Sequence, residues 1–423
     1  MARIAVVGAG YVGLTTAACF SHLGHEVVCG DIDAERVARL AEADVPIVEE
    51  GLEQLVVDGL RHGRLRFVVG AAAAVPGVEF VYLCVPTPQA ADGAADLSFV
   101  ESVAGEIGPL LASESIVVNK STVPVGSTRI VQRALRRPDV LVVSNPEFLR
   151  EGSAVHDFLH PGRIVIGADD QAAAIRVASL YLGVAAPLIV TDPPSAEIIK
   201  YASNAFLATK LSFVNAVAAV CESVGADVND VVLGMGYDPR IGREFLRPGP
   251  GWGGSCLPKD TRALLRIADD AGYDFELLQA SIDVNEQQLD RVVDKVAAAV
   301  GGSLEGVTIA AWGLTFKART DDLRESPALA VIARLRAGGA VVQAYDPTVR
   351  GPLPDVDVRQ DAYAACEGAA VLVVLTEWDE LRWLDFDKVG SVMARRHVVD
   401  ARNLLDRTSL IRSGFTYRGV GRV

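Results

Sequence analysis

Ile4-Ala5-Val6-Val7-Gly8-Ala9-Gly10-Tyr11-Val12-Gly13 decides how the first half of this chain is read. A short apolar, β-branched run meets three glycines spaced G-x-G-x-x-G, and a helix pattern follows. Gly8 permits the tight turn. Gly10 lets the backbone approach a pyrophosphate at the helix N-terminus, and Gly13 allows close helix–strand packing. The motif alone is a weak signal; strand before and helix after are the context it requires. The next strand, Val27–Cys29, ends at Gly30-Asp31. Asp31 lies about 20 residues past the glycines, where a carboxylate accepts from adenosine ribose hydroxyls and repels a 2′-phosphate. NAD is therefore expected over NADP, with Arg36 the nearby residue that a 2′-phosphate could use.

Working outward, the apolar runs Phe80–Val85, Ile116–Val118 and Val140–Val143 each end in polar, Gly or Pro residues, as strands of a buried parallel sheet do. Strand signals at Arg163–Ile166 and Leu188–Val190 complete an NAD-binding domain over residues 1–193. Residues 194–300 read as helical. Glu197–Val224 forms one long Ala-rich pattern, a Gly/Pro loop at 247–254 interrupts, and a second long pattern runs from about Phe275 to Val300. Long apolar helices of this kind often carry a dimer interface. Residues 301–423 return to alternation, with strands at Val307–Trp312, Ala340–Tyr345, Ala370–Leu375 and His397–Asp400 and helices at Pro327–Ala337 and Arg359–Cys366. The expected class is α/β, with two Rossmann-like doubly wound domains joined by a central helical domain.

The 423 residues carry a formal charge of −14. That acidity disfavours nucleic acid, which is bound by basic surface, and anionic lipid. The charge-free run Val177–Thr191 is about 15 residues, short of the ~20 a membrane span needs. A strand starting at Arg3 leaves no room for a secretory leader. Six cysteines, at 19, 29, 84, 221, 256 and 366, show no CxxC and no Cys/His cluster, the usage of a reducing cytoplasm. His156 and His160 have helical metal-ligand spacing, but no third ligand is evident and Pro161 follows, so no metal is expected. Between Arg240 and Arg262 the balance inverts to +3, five basic residues against two acidic, which suits a phosphate-bearing ligand.

The other informative stretch is Pro248-Gly-Pro-Gly-Trp-Gly-Gly-Ser-Cys256-Leu-Pro-Lys259-Asp260. Its glycines would leave the backbone free to approach a ligand. Cys256 precedes a helix pattern at Thr261–Ala268 and stands near Lys259, both of which lower a thiol pKa and favour the nucleophilic thiolate. Asp260 supplies a carboxylate able to orient water or a proton. A cysteine in isolation is more often a buried structural residue. A nucleophilic thiol on an NAD-binding chain suggests a specific sequence: alcohol to aldehyde, thiohemiacetal, thioester, carboxylic acid.

These motifs resemble the UDP-glucose/GDP-mannose dehydrogenase family over nearly the whole chain. The matching stretches, in order, are Gly8–Gly13, Cys84–Pro88, Ser121–Gly126, Asn145–Gly152, Ile199–Asn204, the cysteine loop, Phe316-Lys317 with Thr320–Ser326, Tyr345–Pro347 and Asp400–Asn403. The resemblance implies that Cys256 is the nucleophile and that Lys200 and Asn204 stabilise oxyanion character. Asp260, Thr122 and Glu151 would handle water and protons. The cofactor would contact Gly8, Gly10, Tyr11, Val12, Gly13, Asp31, Arg36, Pro86, Thr87, Thr122, Glu151, Lys259 and Arg324. The substrate, UDP-glucose, would contact Glu147, Phe148, Leu149, Lys200, Asn204, Phe245, Leu246, Gly253, Cys256, Lys317 and Arg402, with Arg240 reaching it across a homodimer.

Trp252 and Leu257 stand where relatives often have phenylalanine, which implies at most a subtle pocket change. Ala205-Phe206-Leu207-Ala208 resembles the glucose branch, and the Trp-His pair usual in the GDP-mannose branch is absent. Two alternatives remain at this stage. One is the same chemistry on dTDP-glucose, GDP-mannose or a UDP-N-acetylhexosamine. The other is a non-catalytic NAD or nucleotide-sugar sensor, which would need none of the reactive residues.

Overall fold

A computed structural model describes residues 1–88 and 95–422. The chain divides into two compact units: residues 1–203 with 262–271, and residues 204–261 with 272–423.

The first unit is built on eight strands: β1 (Arg3–Val7), β2 (Glu26–Asp31), β3 (Leu65–Val69), β4 (Phe80–Leu83), β5 (Ile116–Asn119), β6 (Leu141–Ser144), β7 (Ile164–Gly167) and β8 (Leu188–Thr191). Their order is β3-β2-β1-β4-β5-β6-β7-β8. Six are parallel; β7 then meets β6 antiparallel through Ser144 and Gly167, and β8 runs parallel to β7. The order reverses between β1 and β4, the switch point outside whose carboxyl ends such sheets bind ligands.

Strand alternation splits the core cleanly. Ile4, Val6, Tyr82, Ile116 and Val118 pack on one face of the sheet, and Ala5, Val7, Val81, Leu83 and Val117 on the other. β3 escaped the sequence reading because its burial is broken; Arg66 and Val69 are exposed.

The second unit holds a six-stranded, all-parallel sheet: β9 (Thr308–Trp312), β10 (Val341–Tyr345), β11 (Asp357–Val358), β12 (Val371–Val374), β13 (His397–Asp400) and β14 (Thr416–Gly419). The order is β11-β10-β9-β12-β13-β14, again with a switch point beside the first strand. One device recurs in both sheets. Gly8 N donates to Gly30 O, and Ala9 N to Asp31 Oδ2. Likewise Gly313 N donates to Tyr345 O, and Leu314 N to Asp346 Oδ2. Each sheet thus ends its central strand on a glycine turn held by a buried aspartate from the neighbouring strand.

The helix Pro193–Val224 runs 32 residues and crosses the boundary between units. By length and composition it could cross a membrane, although Lys200 and Lys210 interrupt its apolar run. Its polar residues nevertheless have protein partners. Glu197, Lys200, Asn204, Ser212 and Asn215 are all buried, and each is hydrogen-bonded. The expected helix at Arg359–Cys366 shortens to Ala362–Cys366, because Asp361 caps its N-terminus from Tyr363 N and Ala364 N.

Candidate functional site

The glycine motif behaves as its spacing predicts, for three different reasons. Gly8 has φ +100°, and a Cβ there would lie 2.6 Å from Cys84 O. At Gly13 a Cβ would fall 1.8 Å from Gly8 O, so the helix can sit this close to the turn only without a side chain. Gly10 is different: a Cβ would meet nothing within 4 Å. Protein packing does not demand that glycine, whereas a pyrophosphate approaching the helix Tyr11–His22 would. The first turn of that helix has neither a side-chain cap nor an acidic residue, so its N–H groups remain available to an anion. The residues present therefore fit the dinucleotide.

Asp31, buried at the end of β2, accepts from Ala9 N at 2.6 Å and lies 3.5 Å from Arg36. Arg36 is thus drawn to Asp31. Thr87 donates to Thr122 O at 2.8 Å and Ser121 to Val85 O at 2.7 Å, tying the loops after β4 and β5 together. The Tyr11 hydroxyl donates to Glu49, and Gly152 N donates to both. The glycine motif is thereby linked to the residue following Glu151. Glu49 has no local sequence signal; only the fold brings it here.

Glu147 and Lys200 form a buried ion pair at 2.7 Å, both side chains 4% exposed. Leu149 N donates to the other carboxylate oxygen at 2.6 Å. Burial pushes the Glu147 carboxyl up, but the Lys200 ammonium and these hydrogen bonds outweigh it and hold the group below its ordinary value. Lys200 also lies 5.6 Å from the centre of the Phe148 ring. The sequence reading gave Glu147 and Lys200 separate tasks; the structure makes them a pair. Asn145 fixes the turn before Glu147. Its Nδ2 donates to Val165 O, and its Oδ1 accepts from Tyr181 and Lys120.

In the second unit, the helix after Cys256 starts at Leu257, four residues earlier than the sequence pattern indicates. Asp260 therefore sits in its first turn, with its N–H donating to Cys256 O at 2.9 Å. Cys256 is half-buried, whereas the other five cysteines are buried. Burial pushes Cys19, Cys84 and Cys366 up to about 12, which makes them inert thiols at neutral pH. The Asp260 carboxylate is wholly buried. It accepts from Asn204 Nδ2 at 2.5 Å and Lys259 Nζ at 2.8 Å. One Lys259 N–H is thus taken by Asp260.

The glycines of the Gly/Pro loop have a packing role that the sequence reading did not give them. A Cβ at Gly253 would lie 1.9 Å from Glu325 O, at Gly254 2.7 Å from the Phe316 ring, at Gly251 3.0 Å from Asn285, and at Gly249 3.2 Å from Arg402. The glycines let the loop seat on its own protein. Its backbone is also held by side chains the sequence reading overlooked. Asn215 accepts from Gly249 N, Gln288 donates to Gly249 O, and Asn285 binds both Trp252 N and Trp252 O.

Arg402 donates to Leu375 O and Phe316 O, placing it beside Lys317. Arg324 clamps Asp322 through two nitrogens. Arg240 is 88% exposed and grips Asp238 at 2.6 Å. The +3 counted over 240–262 omitted this aspartate, two residues outside the window. Phe245 has φ +59°, a strained conformation for a non-glycine residue. Leu246 beside it is buried. His156 and His160 have ring centres 5.0 Å apart.

Residues 2–184 match the NAD binding domain, 194–287 the central domain and 310–407 the UDP binding domain of the UDP-glucose/GDP-mannose dehydrogenase family. The chain is 45% identical to a UDP-glucose 6-dehydrogenase of Rhizobium meliloti (strain 1021), covering 99% of both. Among solved structures, it matches a UDP-glucose dehydrogenase of Pyrobaculum islandicum at TM-score 0.91 and 38% identity, over 100% of this chain and 98% of that one. It matches a UDP-D-ManNAc dehydrogenase of Pyrococcus horikoshii at TM-score 0.89 and 28% identity, over 99% of each.

Proposed function

This chain belongs to the UDP-glucose/GDP-mannose dehydrogenase family, and from that premise we propose that it oxidises the C6 alcohol of UDP-glucose to the carboxylate of UDP-glucuronate. The observation that carries the chemistry is Cys256, the one cysteine of six that is not buried, directly before a helix whose first turn holds Asp260. NAD, the cofactor of this dehydrogenase family, supplies a hydride acceptor for each of the two oxidations.

In this reading the Cys256 thiolate adds to the aldehyde carbon, forming a C–S bond and an oxyanion. Lys200 and Asn204, one turn apart on their helix, donate to that oxygen. Loss of the second hydride leaves a thioester. Water held by Asp260, with Thr122 and Glu151, attacks it; the C–S bond breaks, the thiolate returns and the carboxylate leaves with release of a proton. The Glu147 carboxylate, 2.7 Å away, anchors the Lys200 ammonium for that role. Glu147, Phe148 and Leu149 line the sugar. Phe245, Leu246, Gly253, Lys317 and Arg402 hold the nucleotide. Gly8, Gly10, Tyr11, Val12, Gly13, Asp31, Pro86, Thr87, Lys259 and Arg324 serve the cofactor.

UDP-glucose is favoured over other nucleotide sugars by the higher identity to relatives bearing that name than to the UDP-D-ManNAc enzyme. Initial rates on UDP-glucose, dTDP-glucose, GDP-mannose and UDP-N-acetylmannosamine test this. The highest kcat/KM is expected for UDP-glucose, and a higher value for another sugar overturns it.

A homodimer is part of the proposal. Phe206, Phe213 and Val220 recur every seven residues on one helix and are 67%, 55% and 60% exposed, an apolar stripe that a second copy would cover. Arg240, itself exposed, would then serve the partner's substrate. The cysteines, free in this chain, suit the cytoplasm.

A further inference from the structure

We propose that a cavity in the first unit, walled by Lys120, Phe148, Arg163 and Tyr181, binds a small oxyanion through Lys120 and Arg163. The cavity measures about 200 Å³. A water's share of liquid volume is about 30 Å³, so a tetrahedral or planar oxyanion fits with room for solvent.

The argument is one of unmatched charge. Lys120 is 5% exposed, at the end of β5. Its ammonium has three N–H donors. Two reach neutral acceptors, Asn145 Oδ1 at 3.2 Å and Tyr181 OH at 3.4 Å. The rings of Phe158 and Tyr181 flank it at 6.0 and 5.9 Å. Among the described residues no carboxylate lies within ion-pair distance of it. Arg163 is half-buried, and burial alone lowers its pKa. It lies 3.7 Å over the Phe148 ring and donates from one nitrogen to Ser203 at 3.0 Å, again with no carboxylate of the described residues within ion-pair distance.

The other charges here are matched. Arg150 lines the same cavity but is neutralised by Asp157 at 2.7 Å. Glu147, the carboxylate whose charge Lys120 feels, is taken by Lys200. Two cations without counter-ions therefore face one hollow. A buried cation is costly unless paired. An oxyanion supplies what is missing: acceptors for the third Lys120 N–H and for the planar Arg163 fork.

The test is calorimetric titration of the full chain with inorganic phosphate and, separately, acetate. NADH and UDP-glucuronate are present at saturation to fill the phosphate sites of the proposed reaction. The wild type should take up one further anion per chain, the tighter of the two probes identifying a phosphate or a carboxylate site. Arg163→Gln and Lys120→Met should weaken it about tenfold or more. Arg163→Gln, only half-buried, keeps the test decisive if Lys120→Met fails to fold. Absence of a further anion in the wild type, or equal affinity in Arg163→Gln, overturns the proposal. Direct titration of NADH and UDP-glucuronate reports separately on the catalytic reading. Should those ligands not bind, the difference between wild type and Arg163→Gln still decides the anion site.

Discussion

Replacing Lys200 by methionine leaves Glu147 buried without its cation, and the cost follows from the pair's geometry. Glu147 keeps its hydrogen bond from Leu149 N but loses the ammonium at 2.7 Å. A carboxylate stranded in this way is strongly destabilising, by roughly 3–5 kcal/mol. Its escape is to take up a proton. From its ordinary pKa of 4.5, protonation at pH 7 costs about 3.4 kcal/mol, which caps the loss.

The sign is fixed by linkage. In the wild type the folded-state pKa of Glu147 lies below 4.5, so the pair's contribution is present above that pH and lost as pH falls through the depressed value. In Lys200→Met, burial, the largest influence, is opposed only by Leu149 N and the more distant Lys120 and should raise the pKa. The variant's deficit should therefore grow by about 1.4 kcal/mol per pH unit from near pH 4.5 towards pH 7. All four tryptophans (252, 312, 378 and 383) lie in the second unit, so fluorescence reports on the wrong part. Hydrogen exchange in the peptide 140–150 during urea unfolding reads the right one. A deficit below about 1 kcal/mol at pH 7, or one independent of pH, would refute the buried-pair argument.

Gly10→Ala should leave thermal stability unchanged yet weaken NADH binding about tenfold, whereas Gly13→Ala should unfold the first sheet; calorimetry and NADH titration separate them. Asn285→Leu removes both side-chain bonds to Trp252 and should cost about 1–3 kcal/mol, with a raised KM for the nucleotide sugar; an unchanged melting temperature contradicts it. Phe213→Glu should sediment as a monomer where the wild type sediments as the proposed dimer. Coexpression of Arg240→Ala with Cys256→Ala should restore activity that neither has alone, because the mixed dimer has one site with both residues. Failure to complement would keep Arg240 within its own subunit.

The parts of the structure legible in the sequence are those governed by local rules. Both doubly wound sheets follow from β-branched runs ending in Gly or polar residues, and Gly8 and Gly13 are required where spacing says. What escaped depends on distant partners. Glu49 reaches Tyr11 only through the fold, and β3 lacks the continuous burial that marks its neighbours. The helix start at Leu257 was hidden because Pro258 lies in its first turn, where proline is tolerated. The cysteine loop was legible only in part. Its glycines read as room for a ligand, and they also make room for Glu325, Phe316, Asn285 and Arg402. Asn215, Asn285 and Gln288 carry no local signal; only the fold brings them to that loop.

The central claim is a four-electron oxidation through a covalent cysteine intermediate, and counting electrons tests it most directly. With UDP-glucose limiting and NAD in excess, the account predicts two NADH formed per UDP-glucose consumed, with UDP-glucuronate the sole sugar product. One NADH per UDP-glucose, with the C6 aldehyde released into solution, would contradict it.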